Sequence, residues 1–259
     1  MNYLYWLLGL STAFVVLERL RPARPRQPAV RPQFANDVGY LLFNGHIWAL
    51  LTGGITGWCA TSTRGWLDAR HLLPAHGLLD GRSLAAQFVV FLVASDLLQW
   101  CVHNLLHRVP FLWSFHKVHH SVKQMDFLAS FRFHWVELVV YRALLYVPLL
   151  FLGGEGGPLF AVAVFATFWG HLNHANLDVG LGPLAFLFNS PRMHLWHHDI
   201  SSEGGAAKNF GIVLSIWDWI FGTAYWPRER APQSIGYPGD IEMPRDFARQ
   251  ELFQITRRR

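Results

Sequence analysis

Residues 84–120, LAAQFVVFLVASDLLQWCVHNLLHRVPFLWSFHKVHH, join an apolar segment to two closely spaced groups of histidines. The apolar part, residues 84–106, contains one formally charged side chain, that of Asp96, and is long enough to cross a bilayer as a helix. Helices suit such segments because they satisfy every backbone polar group internally. The histidines begin where the apolar part ends. The stretch therefore predicts a transmembrane helix that leads into a metal-binding element.

The rest of the chain also has the composition of a membrane protein. It is 52% hydrophobic and 15% charged, whereas soluble domains usually carry about 25% charged residues. Residues 210–226 are apolar but contain Asp218, so we expect them to pack at the membrane face. The sequence predicts an all-α integral membrane protein, a bundle of about four to five transmembrane helices. The other apolar segments are residues 1–17 (expected to be a retained anchor, not a cleaved signal peptide), 38–60, 138–152 and 158–176.

Positive charge flanking the apolar segments predicts the orientation. A linker rich in arginine and proline occupies residues 19–33, and residues 257–259 are all arginine. Loops rich in Lys and Arg stay on the cytoplasmic side. Counting crossings from the linker puts residues 103–137 and 171–259 in the cytoplasm and loop 61–83 outside. Nearly all histidines then form a cytoplasmic cap. The net charge of +5 is explained by these flanks, so no nucleic-acid partner is expected.

Histidines carry the strongest functional signal. Of the 14 in the chain, 11 lie between residues 103 and 198, in groups with helical spacing. Residues three and four apart share one helix face, so each group can direct two or three imidazoles to one point, as a metal bound at about 2 Å per nitrogen requires. Ten imidazoles at one membrane face suit two metals. The predicted ligands are His103 and His107 (HxxxH), His116, His119 and His120 (HxxHH), His171 and His174 (HxxH), and His194, His197 and His198 (HxxHH).

Four further residues are weaker candidates. His134 could be an additional ligand, a group that supports a ligand, or a contact to lipid headgroups. Asp96 lies seven residues before the first ligand of its segment and so shares its helix face. We expect that Asp96, Asn176 or Asn209 could accept the free N–H of a ligand imidazole and fix its tautomer. An ordinary helix-packing hydrogen bond is an equal alternative for each of the three.

Ligand type alone leaves the metal open, because imidazole suits Zn, Cu, Fe and Ni alike. Cys59 and Cys101 are too few for a four-thiolate zinc or iron–sulfur site, and the HExxH motif of zinc proteases is absent. The isolated His46, His71 and His76 are expected to be ordinary polar or loop residues. Three functions compete: an O2-dependent oxidoreductase, a zinc-dependent membrane lipid hydrolase, and a non-catalytic metal-handling membrane protein. Histidines at segment ends disfavour transport, which uses groups near the midplane.

Taken together, these motifs resemble the fatty acid hydroxylase/sterol desaturase superfamily. The resemblance runs from Asp96 to Thr223, about half the chain, and rests on the histidine boxes in their order. It includes Ser190-Pro191-Arg192-Met193 before the last box. Residues 209–211 (NFG) and 217–223 (WDWIFGT) close the match.

The resemblance implies a centre of two iron ions, O2 as the oxidant, and hydroxylation or desaturation of a lipid. Zinc is the metal that could replace iron on isolation. It also implies that the ten histidines named above hold the metals, on the cytoplasmic face of a helical bundle. The family contains hydroxylases, desaturases and an ether-cleaving oxygenase, so the reaction and the lipid stay open. We expect N-terminal membrane helices and linker at 1–83, the histidine-box domain at 84–226, and a cytoplasmic tail at 227–259.

An external electron donor is also expected. Hydroxylation with O2 consumes two electrons beyond those taken from the substrate. The sequence shows neither a GxGxxG dinucleotide fingerprint after a strand nor enough cysteines for a four-thiolate iron–sulfur cluster. A small acidic protein could dock on the cap, where Lys117, Lys123, Arg192 and Lys208 would present positive charge. A solvated or lipid-facing surface is the alternative reading of these cations.

Overall fold

A computed structural model describes residues 2–72, 77–200, 208–228 and 230–256. His76 and the arginines at 257–259 lie outside the described residues. The described ranges contain helices and isolated bridges but no β-strand, which confirms the all-α prediction. The helices are α1 (Tyr3–Leu20), α2 (Phe34–Leu42), α3 (Trp48–Asp68), α4 (Leu84–Arg108), α5 (Pro110–His120), α6 (Trp135–Leu149), α7 (Gly156–His174), α8 (Pro191–His197), α9 (Ile216–Ile220) and α10 (Phe247–Thr256).

Helix boundaries agree with the apolar segments in most places. Ser83 caps α4, its side chain accepting a hydrogen bond from the Ala86 amide, and Pro110 starts α5 directly after α4 ends. Two differences stand out. A π-helical turn joins α2 to α3, so the segment predicted at 38–60 belongs to one helical stretch that enters the loop expected at 61–83. Of the aromatic segment 210–226, only the five residues of α9 are helical.

Three long helices run towards the same end of the molecule. Helices α1 and α7 run parallel, because residues further along α1 contact residues further along α7: Tyr3 hydrogen-bonds Thr167, and Ser11 contacts His171. Near the helix ends, Glu18 accepts the Asn176 amide. Helix α4 packs against α5, α6 and α7 and ends in its own two histidines. This arrangement gathers the histidine boxes at one end of the bundle.

Two apolar clusters hold this arrangement together. One lies between α4, α6 and α7 and contains Phe91, Leu149 and Val162. The larger joins α1 to the segments around the histidine boxes and to the C-terminal part of the chain. Its buried members include Phe14 from α1, Val118 from α5, and Met243. Burial of such side chains stabilises the fold by about 1.5–3 kcal/mol each.

After the end of α1, residues 21–33 of the arginine-rich linker are non-helical, as the prolines predict. Not all of the linker's positive charges are exposed to solvent. Arg31 is 2% exposed and forms a bidentate ion pair with Asp126 at 2.6 Å. The guanidinium also reaches Asp37, which pairs in turn with Arg132. Buried charges are tolerated when paired in this way. The network ties the linker to the segment between α5 and α6.

By length and composition, α1 and α4 are apolar enough to cross a membrane. Exposed apolar side chains cover the outer face of α1, where Tyr5 is 73% exposed and Leu8 is 54% exposed. Helix α4 likewise exposes Val89 and Val93. Contiguous apolar surface of this kind is typical of lipid-facing helices. The expected count of four to five spans stays a prediction.

Candidate metal centre

Two groups of imidazoles meet where α4, α5, α7 and α8 converge. Within each group, the candidate ligand nitrogens lie within 4.8 Å of one another. Helices α4, α5 and α8 supply the first group, and α5, α7 and the box at α8 supply the second. The first group is His103, His107, His116, His120 and His197; the second is His119, His174, His194 and His198.

The two HxxHH boxes are divided between the groups in opposite ways. In α5, the outer pair His116 and His120 joins the first group, and His119 joins the second. In the box at α8 the outer pair joins the second group, and His197 joins the first. The rings of His120 and His198, one from each group, have centroids 4.4 Å apart. The two groups are therefore adjacent and share both helices.

Distances in the second group fit a common metal. The Nε2 atoms of His119 and His174 are 3.2 Å apart, and those of His174 and His194 are 3.1 Å apart. The Nε2 atoms of His194 and His198 are 3.3 Å apart. Two nitrogens bound to one metal at about 2.1 Å, at angles between octahedral and tetrahedral, lie about 3.0–3.4 Å apart. These lone pairs can point at one ion.

The first group contains buried nitrogens that need a partner. The Nε2 atoms of His103, His116 and His197 are buried and have no hydrogen-bond partner in the described part of the chain. The Nε2 atoms of His107 and His120 are 3.2 Å apart. Leaving a buried polar atom without a partner costs about 1–3 kcal/mol. A metal bound by these nitrogens would remove that cost, so the donor set fits a metal ion.

The opposite ring nitrogens are fixed by oxygen acceptors. An Nδ1–H that donates to oxygen sets the tautomer and leaves the Nε2 lone pair for a metal. Five of the nine rings are held in this way. The Nδ1 contacts are His103 to the Phe210 carbonyl (2.8 Å), His116 to Glu137 Oε1 (2.8 Å), His119 to the Arg132 carbonyl (3.2 Å), His174 to the Gly170 carbonyl (2.8 Å) and His197 to the Lys208 carbonyl (2.7 Å).

Burial also keeps these rings neutral. It lowers the pKa of His116, His194 and His197 well below the usual value for histidine, and neighbouring imidazoles lower each pKa further. A protonated imidazolium has no free lone pair and cannot bind a metal, whereas a neutral imidazole can. At neutral pH the site presents uncharged ligands.

Glu137 is a member of the site that sequence reasoning missed. Its side chain is buried in the first turn of α6 and accepts from His116 Nδ1. The carboxylate supports the ligand and raises its basicity, as in other metal sites. Its signal in the sequence was an acidic residue within an apolar segment, three residues after His134. A carboxylate in such a segment is usually functional.

Asp96 does not contact an imidazole, and of the two readings left open for it the structure shows the ordinary structural hydrogen bond. Its Oδ1 accepts from the Val213 amide at 2.9 Å, and its Oδ2 accepts from the Leu214 amide at 3.0 Å and the Trp217 indole at 3.0 Å. A carboxylate can satisfy several N–H donors at once, and here two belong to the loop before α9 and the third to α9 itself. Asp96 therefore fixes the loop after the last histidine box.

Asp218 holds the same loop from its other end. Its two oxygens accept from the Phe210 and Gly211 amides, both at 2.8 Å. It also accepts from the Trp100 indole and the Thr223 hydroxyl, which offset the rise in its pKa that burial causes. This loop presents the Phe210 carbonyl to the first ligand of α4, so Asp218 acts on the metal site through the backbone.

Asn176 and Asn209 also bond to backbone rather than to ligand rings. Asn176 Oδ1 accepts the Arg24 amide at 2.9 Å, which joins the linker to the end of α7. Asn209 has a φ of 52° and accepts the Tyr225 amide at 2.7 Å, while its amide group donates to the Met193 carbonyl. Asn tolerates this left-handed conformation better than most residues. Both residues therefore make ordinary structural hydrogen bonds, the alternative to a contact with an imidazole N–H.

His171 and His134 lie outside both groups. The His171 ring sits between Ser11 (Nε2 to Oγ, 3.2 Å) and Ser130 (Nδ1 to Oγ, 3.3 Å), facing α1. His171 lies three residues before His174 on α7, and its side chain points towards α1 while that of His174 points into the second group. His134 accepts the Val136 amide at 3.1 Å at the start of α6. Convergence predicted for ten histidines is found for nine.

Comparison with known proteins agrees with this geometry. The fatty acid hydroxylase family model matches residues 88–223, which include all nine converging histidines. An ornithine lipid hydroxylase of Rhizobium tropici, OlsE, is 31% identical over 92% of this chain and 73% of its own length. No solved structure matches the chain.

Other relatives match over shorter stretches. Human alkylglycerol monooxygenase is 31% identical over 59% of this chain, and the match spans 34% of that protein. Methylsterol monooxygenase 1-3 of Arabidopsis thaliana is 25% identical over 58% of this chain and 51% of its own length. The family model covers more than half of the chain, and the first relative covers nearly all of it. The chain belongs to the fatty acid hydroxylase family.

Proposed function

We propose that this protein is a multi-pass membrane enzyme that uses two iron ions and O2 to hydroxylate or desaturate a lipid. One observation carries the proposal: nine imidazoles, eight buried and that of His107 partly buried, form two adjacent groups in a member of a hydroxylase family. Neutral imidazole ligands accept iron as well as zinc, and the match to a hydroxylase family favours the redox metal. The relatives named as lipid hydroxylase and monooxygenases make a lipid the natural substrate class.

The nine histidines would hold the metals, and bound iron would supply the activation of O2. The protein's own residues do the remaining work. Glu137 and the backbone carbonyls orient the rings before a metal arrives, which reduces the cost of binding. Asp96 and Asp218 hold the loop at 210–214 against α4 by accepting hydrogen bonds from its backbone amides. Burial of the ligand rings excludes water from the reacting centre.

Membrane placement follows from the direction of the helices. We infer that α1, α4 and α7 cross towards the cytoplasm, and that the α2–α3 stretch and α6 cross away from it. The linker at residues 19–33 carries the cytoplasmic positive charge. In this arrangement the metal centre lies at the cytoplasmic face, within a catalytic unit at 84–226, and the substrate enters from the bilayer.

Turnover requires two electrons per O2 from an external donor protein. The overall balance for hydroxylation is R–H + O2 + 2e⁻ + 2H⁺ giving R–OH + H2O. Of the cations expected to attract the donor, Lys123 is paired with Asp240 and Arg192 with Asp178. Lys117 lies over the Phe253 ring at 5.2 Å. Pairing reduces the charge that Lys123 and Arg192 present to a partner.

Lipid profiling tests the proposal. Expression of the wild-type gene in a host that lacks it should produce a lipid that is heavier by one oxygen, or lighter by two hydrogens, only in air. The His194→Ala variant should not produce that lipid, because it removes a ligand of the second group. A product that forms equally without O2, or a shortened lipid released by hydrolysis, would contradict the proposal and favour a zinc hydrolase.

A further inference from the structure

Two adjoining cavities lie in the histidine cap, on the side formed by the linker and α8. One has a volume of about 430 Å³ and lies between the linker, the end of α7, α8, Arg228 and residues 230–232. The other, of about 700 Å³, lies beside it, and the two share Arg24, Met125, Leu195 and Pro232 in their walls. Volumes in this range are typical of small-molecule sites. The pair is a candidate binding site separate from the metal centre.

The walls of these cavities are strongly positive. Among the described residues that line them, one carboxylate, Asp178, opposes six cations. Asp178 is paired with Arg192 at 2.6 Å, and Lys123 is paired with Asp240. Guanidinium groups match carboxylate and phosphate oxygens in a bidentate manner. The six cations are Arg24, Arg26, Lys123, Arg192, Arg228 and Arg230.

Arg24 stands in the wall common to both cavities, and it forms no ion pair in the described part of the chain. Its guanidinium donates to the Gln27 side chain at 3.2 Å and to the Met125 carbonyl at 3.2 Å, both neutral. The nearest carboxylates are already used: Asp126 binds Arg31 with both oxygens, and Glu18 accepts two backbone amides. Burial lowers the pKa of Arg24 despite those carboxylates, so its charge is not fully compensated.

Part of the lining is apolar. Met125, Ala175 and Leu177 are buried side chains in the wall of the first cavity, and Leu195 belongs to both cavities. A ligand that fits this lining carries an anionic group on an apolar body, or is a compact anion held by the arginines alone. We propose that these cavities bind a phosphate- or carboxylate-bearing molecule, with Arg24 as its central contact. Two sources supply that chemistry, the headgroup of an anionic lipid and a soluble phosphate.

Binding to the purified full-length protein tests this inference and does not depend on turnover. Thermal unfolding is measured with inorganic phosphate, and separately in bicelles containing phosphatidylglycerol or only phosphatidylcholine. At least one anion should raise the melting temperature of the wild type. Arg24→Gln should weaken its apparent affinity by about tenfold or more, because charge-assisted hydrogen bonds are lost. Arg228→Gln, at an exposed residue of the wall, should weaken it by a smaller factor.

Arg249→Gln is the matched control, since Arg249 is an 82% exposed arginine outside the cavities. It should leave the affinity unchanged. Stabilisation by phosphatidylglycerol alone assigns the site to a lipid headgroup, and stabilisation by phosphate assigns it to a soluble anion. The inference is overturned if neither anion stabilises the wild type, if both cavity variants bind as the wild type does, or if Arg249→Gln loses as much affinity as they do.

Discussion

The two histidine groups share α5 and the box at α8, but α4 contributes only to the first and α7 only to the second. The first has five imidazoles, one of them held by a carboxylate, and the second has four. In the described chain, Nδ1 has no hydrogen-bond partner in one ring of the first group, His120, and in two rings of the second, His194 and His198. A metal with fewer protein ligands keeps more positions open to exogenous molecules. Under the proposed function we therefore expect O2 and substrate to meet the second group, whose metal would have fewer protein ligands.

Removing one ligand from each group should have the largest effect. His194→Ala leaves three imidazoles in the second group and is expected to empty it, whereas His103→Ala leaves four in the first group and is expected to weaken metal binding there. Each should lower lipid oxidation by about 100-fold or more, since the proposed centre needs both ions. Metal content per chain and product formation are the measurements. His46→Ala is the control, because His46 lies outside both groups, and it should keep the metal content and the product formation of the wild type. If either ligand variant kept full metal content, the division into two groups would be wrong.

Glu137→Gln should weaken the first group selectively. The amide keeps the shape but loses the charge that His116 Nδ1–H donates to, so we expect metal affinity to fall about 10–100-fold there. Titration of the metal-free protein with Fe²⁺ would resolve one weakened site and one unchanged site. Glu155→Gln, at an exposed carboxylate before α7, should change neither. Equal weakening of both groups would show that Glu137 acts on the fold as a whole.

A smaller effect is expected for Asp218→Asn. The carboxylate holds the Phe210 and Gly211 amides, and Phe210 in turn accepts from His103, so its influence passes through the backbone. We expect a few-fold loss of affinity in the first group, together with a lower melting temperature. Asp246→Asn, an exposed partner of Arg249, provides the comparison. A loss as large as that of Glu137→Gln would mean that the loop itself is part of the binding site.

His171→Asn should have no effect on metal content. The ring bonds Ser11 and Ser130, so its replacement is expected to cost about 1–2 kcal/mol of stability while both groups stay loaded. His174→Asn, one turn later in α7, should empty the second group. Metal analysis and thermal unfolding of the pair separate the two roles. Metal loss in His171→Asn would make it a fifth ligand of the second group and remove the difference between the groups.

The sequence was sufficient to predict the all-α class and the nine histidines that converge in the structure. Helical spacing identifies which histidines share a face, and this local rule holds in α5 and at α8. It could not assign ligands to groups, because the boxes are split between them by how the helices pack. Nor could it find the partners of the rings, since four of the five Nδ1 acceptors are backbone carbonyls. Every residue has a backbone carbonyl, so the residue type does not show which carbonyl accepts a hydrogen bond from a ligand ring.

His171 shows the limit most clearly. Its spacing to His174 is as suitable for a ligand as that of His116 to His119. What separates the two pairs is the neighbouring helix: α1 brings Ser11 and Phe14 to the His171 ring. That contact joins residues 160 positions apart in the sequence, beyond the reach of a pattern within one segment.

We propose that each of the two histidine groups holds an iron ion. Anomalous scattering at the iron absorption edge, from crystals of the protein purified after expression in iron-replete medium, tests it most directly. We expect one iron peak in each group, the first among His103, His107, His116, His120 and His197, and the second among His119, His174, His194 and His198. A single peak, a scatterer with the zinc edge in iron-loaded active protein, or a peak bound by His171 would contradict it.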